Sequence, residues 1–275
     1  MKLTLGFSTC PNDTFIFAPI VRKKIDIYDF EFDFILADVE ELNKLAFEAN
    51  IDITKISFHA YAYLWKNYQI LDAGSALGRN NGPLIIAEQK FPPESLVEKK
   101  IAIPGQYTTA NLLLQLAFGK NLKTVEYLFS DIPKVILQKQ VEAGVIIHET
   151  RFTYQDMGLV KIQDLGEFWE NLTKLPVPLG GIIINRKIPY QKRLLFNKVL
   201  KNSILYSLNN PYDAIDFIKE HAQEISEEVM YKHIDLYVND FTVSLSEQGK
   251  KAIYKLFDLG YEKQLIPSLP QDIFI

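Results

Sequence analysis

Short apolar segments of strand length alternate with segments of helical spacing through the first two thirds of the chain. Strands are predicted over residues 3–7, 31–37, 51–58, 69–77, 83–87, 100–103, 124–129, 145–147 and 182–185. Helices are predicted over residues 14–22, 39–49, 59–66, 109–118, 133–143, 190–208, 212–221, 227–238 and 247–259. This alternation predicts an α/β fold in which helices cover both faces of the sheet.

Two proline-containing stretches, near 88–99 and near 176–188, interrupt the pattern. They bracket a central α/β unit, which predicts a first lobe of residues 1–90 plus 186–275 and an inserted second lobe of residues 91–185. A chain of 275 residues with 48% apolar residues is long enough for two domains. Two-lobed solute-binding proteins have this arrangement. The two segments in which the chain crosses between the lobes, here called the crossings, form a hinge beside an interdomain cleft.

The charge of the chain favours a small-molecule ligand. Charged residues make up 23% of the sequence and the formal net charge is -4, with no long run of either sign. This balance gives no electrostatic reason to expect nucleic acid or a membrane surface as a partner. The sequence does not indicate an oligomeric state.

Cys10 is the only cysteine, so an internal disulfide is excluded. The residues before it are too few and too polar to form the apolar core of a lipoprotein signal, which needs about 7–15 residues. No run approaches the ~20 apolar residues that span a bilayer. We therefore expect a cytoplasmic protein.

Polar residues follow four of the predicted strands, at the ends where open α/β sheets bind ligands. The first group contains Cys10, Asn12 and Asp13, at the start of a predicted helix whose free amides suit an anion. An ordinary capped helix over a buried cysteine is the alternative reading of this segment alone. Ser57 ends another strand, as a ligand donor or a simple helix cap, and the neighbouring His59 is expected to be a packing residue among aromatic side chains.

Thr108, Thr109 and Ala110 open the apolar helix that follows the strand at 100–103. Gly105 permits a tight turn before them, and the two hydroxyls lie beside the unsatisfied amides of the helix start. Such a turn can hold a carboxylate or a phosphate. It lacks the glycine pattern of a P-loop or of a dinucleotide-binding motif.

His148 directly follows the buried strand at 145–147 and should therefore emerge at the cleft. An imidazole with a pKa of about 6.5 suits proton transfer near neutral pH. From the residues alone, His148 can be either a catalytic residue or a structural polar residue. No metal site is predicted, because His148 and Glu149 have no second histidine at ligand spacing. His221 and His233 lie on separate helices and are expected to be surface or packing residues.

Several of these segments together resemble 1,4-dihydroxy-6-naphthoate synthases. The most specific is 10–15, Cys-Pro-Asn-Asp-Thr-Phe, within the longer segment 6–17. The strand at 52–57, the turn at 104–110, the sequence Ile-His-Glu at 147–149 and the Leu-Gly-Gly at 179–181 fit the family in order and spacing. Position 9, often proline in the family, is threonine here.

The resemblance implies a two-lobed periplasmic-binding-protein-like (type II) fold and a lyase of the futalosine branch of menaquinone biosynthesis. Such an enzyme cleaves cyclic dehypoxanthinyl futalosine to 1,4-dihydroxy-6-naphthoate and a sugar-derived fragment, with no metal or organic cofactor. His148 matches the family's proposed general base. The residues that match its ligand-holding positions, or that share their turns, are Ser57, Thr108, Thr109, Ala110, Cys10, Asn12 and Asp13.

The partner implied is therefore a small aromatic carboxylate. Two other functions stay open for a chain of this fold. One is a solute-binding protein without catalysis, against which the absence of an export signal and the position of His148 both argue. The other is the sister enzyme chorismate dehydratase, for which the Cys-Pro-Asn-Asp-Thr-Phe segment is less typical.

Overall fold

The structure, a computed structural model, describes residues 1–221 and 226–275 and contains two mixed β-sheets. The strands are β1 (Lys2–Phe7), β2 (Glu31–Leu36), β3 (Ile53–Ser57), β4 (Tyr68–Ile70), β5 (Ala76–Gly78), β6 (Leu84–Ala87), β7 (Lys100–Ile103), β8 (Lys123–Glu126), β9 (Ala143–Ile146), β10 (Val160–Asp164) and β11 (Val177–Asn185). The predicted α/β class is confirmed.

Helices cover both sheets. They are α1 (Pro11–Val21), α2 (Val39–Phe47), α3 (Phe58–Leu64), α4 (Thr109–Phe118), α5 (Ile132–Leu137), α6 (Thr150–Thr153), α7 (Leu165–Thr173), α8 (Tyr190–Asn209), α9 (Ile215–His221), α10 (Glu227–Tyr237), α11 (Asp240–Val243) and α12 (Ser246–Glu262). Short 3₁₀ turns lie at Pro93–Glu98, Phe129–Asp131 and Pro211–Ala214. In the part of the chain that the structure describes, no helix has both the length and the apolar character that a membrane crossing requires.

The first sheet has the order β2-β1-β3-β11-β4, with β5 also paired to β11. Its strands β1, β2 and β3 run parallel, and β11 runs antiparallel to its neighbours. The second sheet has the order β10-β6-β9-β7-β8, in which β7 is parallel to β8 and β9. We call the first sheet with α1–α3 and α8–α12 the first lobe, and the second sheet with α4–α7 the second lobe.

Sheet membership differs from the predicted division at both crossings. The predicted boundaries put β6 in the first lobe and β11 in the second, whereas β6 pairs with β9 and β11 pairs with β3. The chain therefore crosses at 79–83 and at 174–176. The prolines that suggested the boundaries do not mark the crossings. Pro93 begins a 3₁₀ turn, and Pro178 lies at a register irregularity inside β11.

The two crossings contact one another. Arg79 donates to the Glu170 carboxylate at 3.1 Å and to the carbonyl of Lys174 at 3.0 Å. At the end of the first crossing the backbones of Gly82 and Gly166 approach so closely that a Cβ on Gly82 would lie 2.3 Å from the Gly166 Cα. Only glycine fits at such an approach, so the end of the first crossing packs directly against the start of α7.

One apolar core joins the two lobes. It contains Leu42 and Ile56 of the first lobe together with Leu112 and Val145 of the second, all fully buried. Two further clusters lie within the lobes, one around Phe7 and Phe196 and one around Ile86 and Ile132. The lobes therefore pack against each other over much of their facing surfaces.

Candidate active site

A cleft that opens to solvent lies between the lobes. Its lining combines apolar side chains with the polar strand ends, as small-molecule sites commonly do. The lining residues are Ser8, Asn12, Asp13, Val39, Lys55, Ile56, Ser57, Ala76, Asn81, Pro83, Thr108, Thr109, Ala110, Ile147, His148, Leu179, Gly180 and Tyr237. Every predicted site residue except Cys10 is in this set, and Cys10 lies directly beside His148.

His148 occupies a strained position at the end of a strand. All four residues of β9 are buried, and the chain then turns at His148 with a φ of +59° before α6 begins. A left-handed conformation is uncommon for a residue with a side chain, and such positions cluster at functional sites. The turn places the imidazole in the cleft instead of continuing the strand.

Residues of both lobes surround the His148 ring. The Cys10 sulfur lies 3.4 Å from its Nδ1. Phe129 packs edge-on at a centroid distance of 4.9 Å, and the His233 ring lies nearly parallel at 6.2 Å with an interplanar angle of 9°. Because Nδ1 faces Cys10 and the ring lines the cleft, Nε2 is the nitrogen left for a ligand.

Burial determines the charge states of His148 and Cys10. Burial lowers the pKa of His148 to about 4, although the Asp13 carboxylate acts to raise it. Burial also raises the pKa of the Cys10 thiol. Near pH 7 the pair is therefore a neutral imidazole and a neutral thiol, and His148 has a lone pair with which to accept a proton.

A buried ion pair supports the first wall of the cleft. Lys55 Nζ on β3 lies 2.5 Å from Asp13 Oδ1 at the start of α1, and both side chains are less than a tenth exposed. The second oxygen of Asp13 accepts from the Ser8 hydroxyl at 2.7 Å. Asn12 donates its amide to Asp13 Oδ1 at 2.8 Å. Asp13 is thus saturated by protein donors and acts through the wall that it holds together.

The turn before α4 differs in one respect from the sequence-based expectation. The Thr108 hydroxyl donates to the Gly105 carbonyl at 2.8 Å, and the Thr109 hydroxyl donates to the Leu179 carbonyl at 2.6 Å. Their hydrogens are therefore already in use. The backbone amides of Thr109 and Ala110 have no acceptor among residues 1–221 and 226–275, since they open the helix, and they are the donors available to an anion.

Ser57 is the other free donor of the predicted set. Its backbone amide donates to Asn43 Oδ1 at 3.0 Å, and its hydroxyl oxygen accepts from the same side chain at 3.4 Å. The hydroxyl hydrogen has no acceptor in the described part of the chain. It does not cap α3, so it is available to a ligand in the cleft.

His59 is a packing residue, as expected. It is buried, its Nδ1 lies 3.1 Å from the Thr108 carbonyl, and burial lowers its pKa to about 4. His59 therefore joins α3 of the first lobe to the α4 turn of the second. It does not line the cleft.

His233 is a packing residue, one of the two expected alternatives, and its position beside His148 was not predicted. It is fully buried beside His148, and its Nε2 lies 3.0 Å from Asn12 Oδ1. Its Nδ1 faces the Glu149 carboxylate at 4.0 Å. The signal was present in the helical spacing of α10, where Met230, His233, Ile234 and Tyr237 form one buried face.

No metal centre is found where the structure describes the chain, since none of its clusters of His, Cys, Asp and Glu has three or more members arranged to hold an ion.

Solved structures share this fold. A crystal structure of a protein from Archaeoglobus fulgidus matches with a TM-score of 0.92 and 36% identity, covering 96% of this chain and 98% of that one. The alkanesulfonate-binding protein SsuA from Xanthomonas axonopodis pv. citri, bound to MOPS, matches with a TM-score of 0.74 and 14% identity over 98% and 96% of the two chains. The second likeness concerns the fold alone, which is two-lobed and periplasmic-binding-protein-like.

Sequence relatives are more specific. The 1,4-dihydroxy-6-naphthoate synthase of Thermus thermophilus is 40% identical over 273 residues, 99% of each chain. The enzyme of the same name from Streptomyces coelicolor is 34% identical over 98% of this chain and 96% of its own. The sequence model of a family described as menaquinone biosynthesis matches residues 3–262. The chain therefore belongs to the menaquinone biosynthesis family, as a homologue of its 1,4-dihydroxy-6-naphthoate synthases.

Proposed function

We propose that the chain is a cytoplasmic carbon–carbon lyase that converts cyclic dehypoxanthinyl futalosine to 1,4-dihydroxy-6-naphthoate, with His148 as the general base. The observation that carries the proposal is a neutral imidazole at the end of β9 with Nε2 left for the cleft. The full-length similarity to two synthases of this name supports the choice of substrate.

The turn before α4 would hold the substrate carboxylate. The free amides of Thr109 and Ala110 point along the helix axis, where the helix dipole favours negative charge. Ser57 supplies a hydroxyl from the facing lobe. Because the two threonine hydroxyls are used internally, their side chains shape the turn and do not donate to the ligand.

His148 would then remove the proton whose loss starts the carbon–carbon cleavage. A positioned base of this kind contributes roughly 10²–10⁴-fold to the rate. An anionic substrate in the cleft stabilises the imidazolium form, and it would therefore raise the pKa of His148 during the step. Backbone amide donors of the cleft can stabilise the developing negative charge on the substrate.

The experiment is a turnover assay with purified protein and cyclic dehypoxanthinyl futalosine, in which naphthoate formation is followed by mass and absorbance. The matched variant is His148→Asn, because asparagine tolerates the left-handed backbone at this position better than alanine does. We expect product from the wild type and a loss of about 10²-fold or more in kcat for the variant. Prior treatment with a chelator should leave turnover unchanged, since the proposal includes no metal.

The competing functions give different results in the same assay. A solute-binding protein would retain the compound without product, and the fold shared with an alkanesulfonate-binding protein is the observation in its favour. Chorismate consumption would indicate the sister dehydratase. Absence of naphthoate from folded wild-type protein would overturn the proposed reaction, and a fully active His148→Asn variant would remove His148 from it.

A further inference from the structure

A chain of contacts behind the cleft fixes the proton position on His233. Lys55 and the amide nitrogen of Asn12 both contact Asp13 Oδ1. The amide orientation of Asn12 follows, because the reverse orientation would place its oxygen against the Asp13 carboxylate. Asn12 Oδ1 therefore faces His233 Nε2 at 3.0 Å, so Nε2 carries a hydrogen and donates it. Nδ1, the other ring nitrogen of His233, points away from Asn12.

Glu149 lies opposite that nitrogen. Its Oε2 is 4.0 Å from His233 Nδ1, and both atoms are buried without a hydrogen-bond partner among residues 1–221 and 226–275. Glu149 belongs to the second lobe and His233 to α10 of the first. Two lone pairs that face each other in a buried interface are unfavourable. The separation of 4.0 Å is longer than a hydrogen bond, so the two side chains must approach by about 1 Å for a single proton to lie between them.

The charge environment agrees with one proton. Burial raises the pKa of Glu149, and burial together with the nearby His148 and Lys55 lowers the pKa of His233. Each shift favours the uncharged form of its group. The other titratable or charged groups that face the two histidines are Cys10, Asp13, Asp38 and Tyr237.

The pair borders the ring of His148 directly. His233 stacks nearly parallel to it, and Glu149 is the next residue along the chain. An ionised Glu149 without a proton would favour protonation of the neighbouring imidazole, whereas a charged His233 would oppose it. With one proton between them, Glu149 and His233 add no net charge beside His148. The stacked His233 ring then keeps the His148 ring in one orientation.

We propose that Glu149 and His233 share one proton across the interface between the lobes and act as positioning residues for His148. The positioning role rests on the proposed function of His148 as the base. Neither residue lines the cleft, so their effect on substrate is indirect.

Variants of Glu149 and His233 distinguish the effect of the contact between the two side chains from the effect of an ionisable proton. Glu149→Gln keeps a hydrogen donor for His233 Nδ1 but cannot ionise, whereas Glu149→Ala removes the donor. His233→Gln places an amide nitrogen near the position of Nε2 and keeps the bond to Asn12, but it removes the stacked ring and the group that faces Glu149. We expect kcat to fall about tenfold or more in Glu149→Ala and His233→Gln and to stay within about threefold in Glu149→Gln.

KM should change little in all three variants, and each should unfold within a few degrees of the wild type. Unchanged kcat in both Glu149→Ala and His233→Gln would overturn the positioning role. The same conclusion would follow if Glu149→Gln lost as much kcat as Glu149→Ala, or if kcat and melting temperature fell together across the series.

A second readout does not depend on activity. Nuclear magnetic resonance of protein labelled in the histidine rings and glutamate carboxyls reports the protons on His233 and Glu149 at pH 7. We expect one proton in total between Nδ1 and the carboxyl, with Nε2 protonated. A count of zero or two would overturn the shared proton. If the wild type showed no turnover, the proposed function would fail, and the proton count would still decide the pair.

Discussion

The sulfur of Cys10 lies 3.4 Å from Nδ1 of His148, although the two residues are 138 positions apart and belong to different lobes. For Nε2 to accept a proton, Nδ1 must carry a hydrogen and donate it to the sulfur. Because burial raises the pKa of the thiol, the sulfur acts here as a neutral, weak acceptor and not as a nucleophile. The only cysteine of the chain thus orients the proposed base.

Substitution of Cys10 tests this relationship. Cys10→Ala removes the acceptor, and a lost hydrogen bond of about 1 kcal/mol corresponds to a fall of roughly fivefold in kcat. Cys10→Ser supplies a hydroxyl oxygen at the same position, so it should remain within about threefold of the wild type. Steady-state kinetics with the naphthoate assay measures both. Equal kcat for the wild type and Cys10→Ala would mean that the thiol only fills space.

The pH dependence of stability should reflect buried His59. Its pKa is about 4 in the folded protein, compared with about 6.5 when unfolded, so the unfolded state binds its proton first as the pH falls. The stability that neutral His59 contributes is therefore complete above pH 6.5 and decreases towards pH 4. At pH 5 the decrease relative to pH 8 is roughly 2 kcal/mol.

The comparison with His59→Gln isolates this contribution, because Glu40 and Glu149, whose pKa values burial raises, change stability in the opposite direction. Urea unfolding of both proteins at pH 8, 6 and 5 is the measurement. We expect the stability of the wild type relative to His59→Gln to decrease with falling pH. A difference that does not depend on pH would contradict the low pKa of His59.

The Lys55–Asp13 pair should contribute far more than an exposed pair. Asp13→Asn leaves the buried ammonium of Lys55 uncompensated, which costs about 3–5 kcal/mol of unfolding free energy. Asp33→Asn is the matched control, since Lys2 and Asp33 form a pair in which both side chains are more than half exposed, and it should cost less than about 1 kcal/mol. Chemical denaturation measures both values. Similar costs for the two substitutions would contradict this account.

Two glycines should respond to alanine with opposite signs. A Cβ on Gly180 would lie 2.4 Å from the Ile56 carbonyl oxygen, at the point where β11 passes β3 beside the cleft. Gly180→Ala should therefore destabilise the fold by about 1–3 kcal/mol. A Cβ on Gly260 in α12 meets only ordinary contacts from 3.4 Å, and Gly260→Ala should stabilise the helix by roughly 0.5–1 kcal/mol. Melting temperatures that shift in the same direction would show that the close approach at Gly180 can relax.

The polar strand ends could be located from the sequence because their geometry is local. A strand followed by a helix places its connecting residues at the carboxyl edge of the sheet, and α4 was predicted at 109–118, the same bounds as in the structure. The partners of these residues are not local. That His233 meets His148, and that Cys10 contacts the same ring, depends on how α10 and the first lobe pack against the second.

The fold was predicted in its class and less well in its connections. Strand pairing decides to which sheet β6 and β11 belong, and pairing partners lie far apart in the chain. The region of β10 and α7 was not predicted, because β10 is an edge strand whose residues are mostly half-buried and lack a continuous apolar run. Periodicity identifies elements, whereas their neighbours follow from tertiary packing.

The division of the proposed reaction centre between two lobes affects the proton affinity of His148. His148 comes from the second lobe, while Cys10 and His233 come from the first. A movement that separated the lobes at this point would part the imidazole from both partners and expose it to water, where its pKa would be that of an ordinary histidine. The buried, neutral imidazole that the proposed reaction uses therefore depends on the two lobes remaining packed together at this point.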